Sequence, residues 1–88
     1  MTWDEFLARR KDFFGCTVEI LMNPVYYRTN YTGTLDGVTH NPVEGVITLS
    51  FQDGSTYTFA EAEATLHWHR DLGLVICEKD GSRLIIAV

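Results

Sequence analysis

Two imidazoles one residue apart, His67 and His69 flanking Trp68, are the sharpest chemical signal in this chain. Residues two apart on a strand share a face, so both rings would sit at a spacing one metal ion accepts, with Glu63 and Glu61 continuing that face. A metal site needs three or more converging ligands, and the only other histidine, His40, lies far outside motif spacing. The pattern therefore predicts no metal centre. His67, Trp68, His69 and Arg70 are instead a candidate ligand-binding or partner surface, with His40 and Asn41 as further candidates.

Other chemistries find less support. There is no Gly-x-Ser-x-Gly, and neither Cys16 nor Cys77 has a histidine at motif spacing. The two cysteines read as buried thiols ahead of a disulfide or metal ligands. The glycines are single, so no loop cradles a phosphate. Glu61 and Glu63 are expected on a solvated face rather than paired for acid/base work. Tyr26, Tyr27 and Tyr31 interleaved with Arg28 carry rings that could stack on bases, but tyrosines on a half-buried strand are the commoner arrangement. Arg9-Arg10-Lys11 reads as a solvated helix end. No catalytic residue, no cofactor and no enzymatic activity are expected.

The 88 residues make room for one domain, residues 1–88, with a modest core, since a chain of this size buries about two-thirds of its unfolded surface. The net charge of −5 is uneven: residues 31–88 hold eight acids against Arg70, Lys79 and Arg83. Long-range attraction to nucleic acid or to an anionic membrane is not expected from that balance. With no long apolar run and with Asp4 and Glu5 near the start, the expectation is a cytoplasmic protein without membrane contact.

The elements that must position these residues are organised around Gly45 to Phe59. Ile47, Leu49 and Phe51 alternate with polar or smaller residues, as do Tyr57 and Phe59, the period of two of half-buried strands. A two-residue Asp53-Gly54 loop would turn the two apolar rows to opposite sides. A three-residue loop, Gln52-Asp53 in a type I turn with Gly54 left-handed, pairs Leu49 with Tyr57 and Ile47 with Phe59 and puts all five on one face.

Thr2 with Glu5 forms a capping box for a helix over Thr2 to Phe14 that Gly15 stops; its apolar stripe is Trp3, Phe6, Leu7 and Phe14, with Phe13 at the flank. Residues 1–15 thus cap a β-domain of residues 16–88. Cys16 to Met22 reads as a strand ended by Asn23-Pro24, and Tyr31 to Val38 as another that Gly33 bends. Thr39 to Glu44 reads as a loop. Beyond Phe59 the phase switches, which a bulge or short turn explains; alternation from Ala60 to Trp68 favours strand, with a helical turn at 60–65 left open. Leu74 to Val88 is a second hairpin on Lys79-Asp80-Gly81, pairing Ile76 with Leu84 and Leu74 with Ile86. Its other face carries Val75, Cys77, Ile85 and Ala87, an expected interface, because a hairpin apolar on both sides needs a second cover.

A short helix, the strand CTVEILM, the strand Tyr-x-Gly-x-Leu-x-x-Val and the ITLSF hairpin together resemble the opening of the Sm-like small β-barrels, over residues 5–60. The resemblance implies a small, strongly bent antiparallel barrel, Sm-like or SH3-like, and implies rings that bind RNA or a nucleotide at subunit boundaries, here through His40, Asn41, His69 and Arg70. The residues themselves favour a self-associating, non-enzymatic binding or assembly module acting by protein–protein contact, including inhibition of a larger partner. The RNA or nucleotide ring is the alternative.

Overall fold

The computed structural model describes residues 1–22 and 30–88. The strand end expected at Asn23-Pro24 and the aromatic stretch Val25 to Arg28 lie outside the described residues. A short helix, α1 (Trp3–Ala8), precedes seven strands: β1 (Thr17–Leu21), β2 (Tyr31–Asn41), β3 (Val46–Phe51), β4 (Thr56–Ala60), β5 (Ala64–His69), β6 (Gly73–Glu78) and β7 (Arg83–Ala87). They form one antiparallel sheet in the order β4-β3-β2-β1-β7-β6-β5.

That order forces the sheet to curl. Its end strands, β4 and β5, are six intervals apart, about 29 Å in a flat sheet, yet only the residues Glu61–Glu63 join them, and the four Cα steps from Ala60 to Ala64 reach at most about 15 Å. The Tyr57 hydroxyl of β4 also donates directly to Glu78 Oε2 of β6, five intervals away. The principal extents of 33 × 28 × 26 Å agree with such a curled sheet. It stays open: among the described residues the backbone of β4 pairs only with β3, and that of β5 only with β6.

Both hairpins have the expected register. Leu49 pairs with Tyr57 and Ile47 with Phe59, closed by Phe51 N–H donating to the Ser55 carbonyl and by Gly54 at φ +87°. Ile76 pairs with Leu84 and Leu74 with Ile86. Their inward rows meet Val18, Ile20, Leu35 and Val38 in a single core.

Four expectations are corrected. The helix ends at Ala8, and a 3₁₀ turn, Arg10–Phe13, follows. A continuous helix would hold Phe6 and Phe13 about 10.5 Å apart along its axis, whereas their rings stack with centroids at 5.5 Å. The break lets Phe13 fold back to 2 % exposure and turns Phe14 outward. The capping box itself is present, with Thr2 Oγ1 accepting from Glu5 N–H at 3.1 Å.

The loop expected over Thr39 to Glu44 is shorter, because Thr39, His40 and Asn41 continue β2 opposite Thr48, Ile47 and Val46; Pro42, without an N–H, ends the ladder. The irregularity in β2 falls at Asp36, between the pairs Leu35/Phe51 and Gly37/Ser50, rather than at Gly33. Up to Thr34 the strand pairs with β1, and from Leu35 on with β3, so the extra residue marks where it changes partners. Finally, Glu61–Glu63 form a 3₁₀ turn and strand resumes only at Ala64, since the chain must cross there from one sheet edge to the other.

Candidate functional site

The structure uses most of the candidate polar residues to hold local geometry. His67 lies exposed on the outward face of β5, its Nε2 3.0 Å from Thr65 Oγ1. His69 turns to its own backbone, where Nδ1 accepts from the N–H groups of Asp71 and Leu72 at 3.1 and 3.2 Å. The ring thereby closes the turn into β6 and presents no lone pair beside His67. Among the described residues no three His, Cys, Asp or Glu side chains converge as a metal cluster.

Trp68 points to the other face of β5 and is 57 % exposed, with Leu72 also exposed in the following turn and Arg70 at the surface. His40 is half-buried, in a cross-strand row with Ile47 and Phe59, and its Nε2 lies 3.0 Å from Glu61 Oε2. Asn41 Oδ1 accepts from Val43 and Glu44 N–H and caps the β2–β3 loop. Through Glu61, His40 and Asn41 sit near the start of β5, whereas His69 and Arg70 sit at its far end, about 17 Å further along the strand. Within one chain these pairs are not brought together.

The expected interface row faces outward. Val75 pairs with both Ile85 and His67, and Ile85 also with Glu19. Val75 is already 8 % exposed in the single chain, Cys77 and Ile85 are half-buried and Ala87 is exposed. Both cysteines are free, Cys16 packed toward the core and Cys77 in the outward row. The basic segment lines an open depression over Leu7 to Asp12, built from a single stretch of chain, where Arg9 is paired with Asp12 at 3.2 Å.

A cleft of about 190 Å³ is the feature that sequence reasoning missed. Its floor is Ile20 and Phe51, each 3 % exposed, its walls are Tyr31 and Tyr57, and its rim is Met22, Asn30, Ser55 and Thr56. These residues come from β1, β2 and the β3–β4 hairpin, with Met22 and Asn30 just outside β1 and β2; Ile20 and Tyr31 are direct cross-strand partners, and the curl of the sheet turns Tyr57 toward them. Inward alternation already puts Tyr31, Phe51 and Tyr57 on one side, but their convergence depends on β4 lying across from β6.

Both wall tyrosines donate to carboxylates. Tyr31 Oη is 2.8 Å from Asp53 Oδ2 and accepts from Ser55 Oγ at 2.8 Å, while Tyr57 is bonded to Glu78. Desolvation and then the Asp53 carboxylate raise the Tyr31 hydroxyl above the usual tyrosine value, against a lowering by Ser55. Asp53 is held below the usual carboxylate value, first by the Ser55 hydroxyl and N–H and then by Tyr31. Burial and then Glu78 push Tyr57 strongly upward. Burial, with the nearby charge of Asp80, also raises Glu78, against a lowering by the Tyr57 bond. Both rings therefore remain protonated donors, and Asp53 stays ionised at neutral pH.

Compared with known proteins, the chain matches no family model, no curated protein and no solved structure.

Proposed function

We propose that the chain is a non-enzymatic binding and assembly module that associates with a second copy of itself through the edge of its curled, barrel-like sheet. The observation that carries this reading is the state of β4. Ser55 to Ala60 contains no charged residue and no proline, the two devices that usually protect a strand edge. Phe51 and Ser55 form the hydrogen-bonded pair that closes the hairpin, and such pairs alternate along an antiparallel ladder. Thr56, Thr58 and Ala60 accordingly aim their N–H and C=O groups away from β3, toward an edge that pairs with no other strand among the described residues.

The outward row of Val75, Ile85, Cys77 and Ala87 is a smaller apolar surface that a second copy would cover. The distribution of the histidines adds support, because His40 and His69 are committed to Glu61 and to a local turn.

Size-exclusion chromatography with light scattering at low micromolar concentration tests the reading. A defined oligomer is expected, and Thr58→Lys, placing a charge at the centre of the β4 edge, is expected to return the protein to monomer without unfolding it. A wild-type monomer across that range overturns the proposal.

A further inference from the structure

The cleft between Tyr31 and Tyr57 has a chemistry of its own, although Thr56 and Tyr57 of its lining also belong to the edge strand β4. We propose that it binds a methylated ammonium group, such as the head of a quaternary amine or a methylated lysine side chain. Three aromatic residues line it, with the rings of Tyr31 and Phe51 at a centroid separation of 4.9 Å, and aromatic faces attract cations through their quadrupole. Asp53 and Glu78 sit behind the two tyrosine hydroxyls, adding negative charge to a wall that carries no Lys or Arg among the described residues.

The same arrangement selects within the cations. Both carboxylates are engaged by tyrosines, so a bare ammonium entering the apolar floor of Ile20 and Phe51 would give up hydration without a direct ion pair, at high cost. A methylated ammonium spreads its charge over apolar methyl groups and is held by ring faces and distant carboxylates. An anion finds no cationic side chain among the described lining residues. The cleft, at about 190 Å³, is on the scale of a quaternary head group.

The test is a chemical-shift titration of the intact chain with tetramethylammonium and choline, alongside 3,3-dimethylbutan-1-ol, the neutral isostere of choline. Saturable shifts are expected at Phe51, Ser55, Thr56 and Tyr57, with the isostere about tenfold weaker. In Glu78→Gln the preference for choline over the isostere should shrink about threefold while the fold is kept. Nε-trimethyllysine amide separates the sources: tighter binding than choline assigns the group to a protein side chain, equal or weaker binding to a free small molecule. Absence of saturable shifts with every cation, or equal binding of the isostere, overturns the proposal.

Discussion

Adding one methyl group at three glycines should have three different consequences. Gly54 has φ +87° with nothing within 4 Å of where a Cβ would stand, so Gly54→Ala carries only the left-handed backbone penalty, about 1–2 kcal/mol. Gly73 has a similar φ of +101°, but a Cβ there would collide with the Ile86 carbonyl oxygen and lie 3.0 Å from Val88 N. Ile86 is fully buried between β1 and β6, so its backbone cannot retreat without disturbing the core. Overpacking of that kind adds about 1–3 kcal/mol, which puts Gly73→Ala at about 2–5 kcal/mol in all.

Gly33 needs no positive φ; its Cβ would strike the ring and hydroxyl of Tyr31, a side chain that can swing aside. The expected cost of Gly33→Ala is the loss of the Tyr31 bonds to Asp53 and Ser55, about 1–2 kcal/mol. Urea unfolding of the three variants, with unchanged slope against denaturant as the check on two-state behaviour, gives the order. For a domain of this size the whole stability is of order 4–13 kcal/mol, so the Gly73 variant should be close to unfolding. If Gly73→Ala costs no more than Gly54→Ala, the close approach of β6 to the end of β7 is wrong.

Further expectations follow from burial and charge. Phe13→Ala should cost about 3–5 kcal/mol and Phe14→Ala under about 1 kcal/mol, measured by the same unfolding assay, because the break after Ala8 buries Phe13 and exposes Phe14. Thr2→Ala should cost about 1 kcal/mol through loss of the capping box. The folded-state pKa of Glu78 is raised, so the stability linked to it is complete below the unfolded value of about 4.5 and lost as pH rises through the folded value. Glu78→Gln should therefore gain on the wild type between pH 4 and pH 7. Asp53 has the opposite sign: its contribution is present above about 3.8 and lost as pH falls through the lowered value, so Asp53→Asn should be more harmful at pH 7 than at pH 3. Denaturant titrations at those pH values check both.

The parts legible in the sequence were those that local chemistry decides. Asp53-Gly54 and Asp80-Gly81 specify three-residue turns, and once each turn is placed the alternation of Leu49, Tyr57, Ile76 and Leu84 leaves one register that keeps the apolar rows together. The bulge in β2 was half visible: Leu35 and Val38 are three apart, a spacing a regular strand cannot bury on one side, and both are buried. Gly33 drew the bend to itself because glycine is the usual signal. The break in the helix was hidden, since it depends on Phe6 and Phe13 meeting on the sheet, and no propensity near Arg9 announces it. The cleft was hidden for the same reason. Its walls are 26 residues apart in sequence, and nothing local tells Tyr57 that it will reach Glu78.

β1 occupies the centre of the sheet between β2 and β7, with Thr17 opposite Ala87 and Val18 opposite Ile86. Val18 and Ile20 thus find half of their neighbours only once residues 83–87, more than 60 positions further along the chain, have left the ribosome. Such early-to-late pairing gives a high contact order and slow closure, and a nascent chain stalled short of residue 83 would hold an apolar central strand with one flank bare, a ready substrate for chaperones.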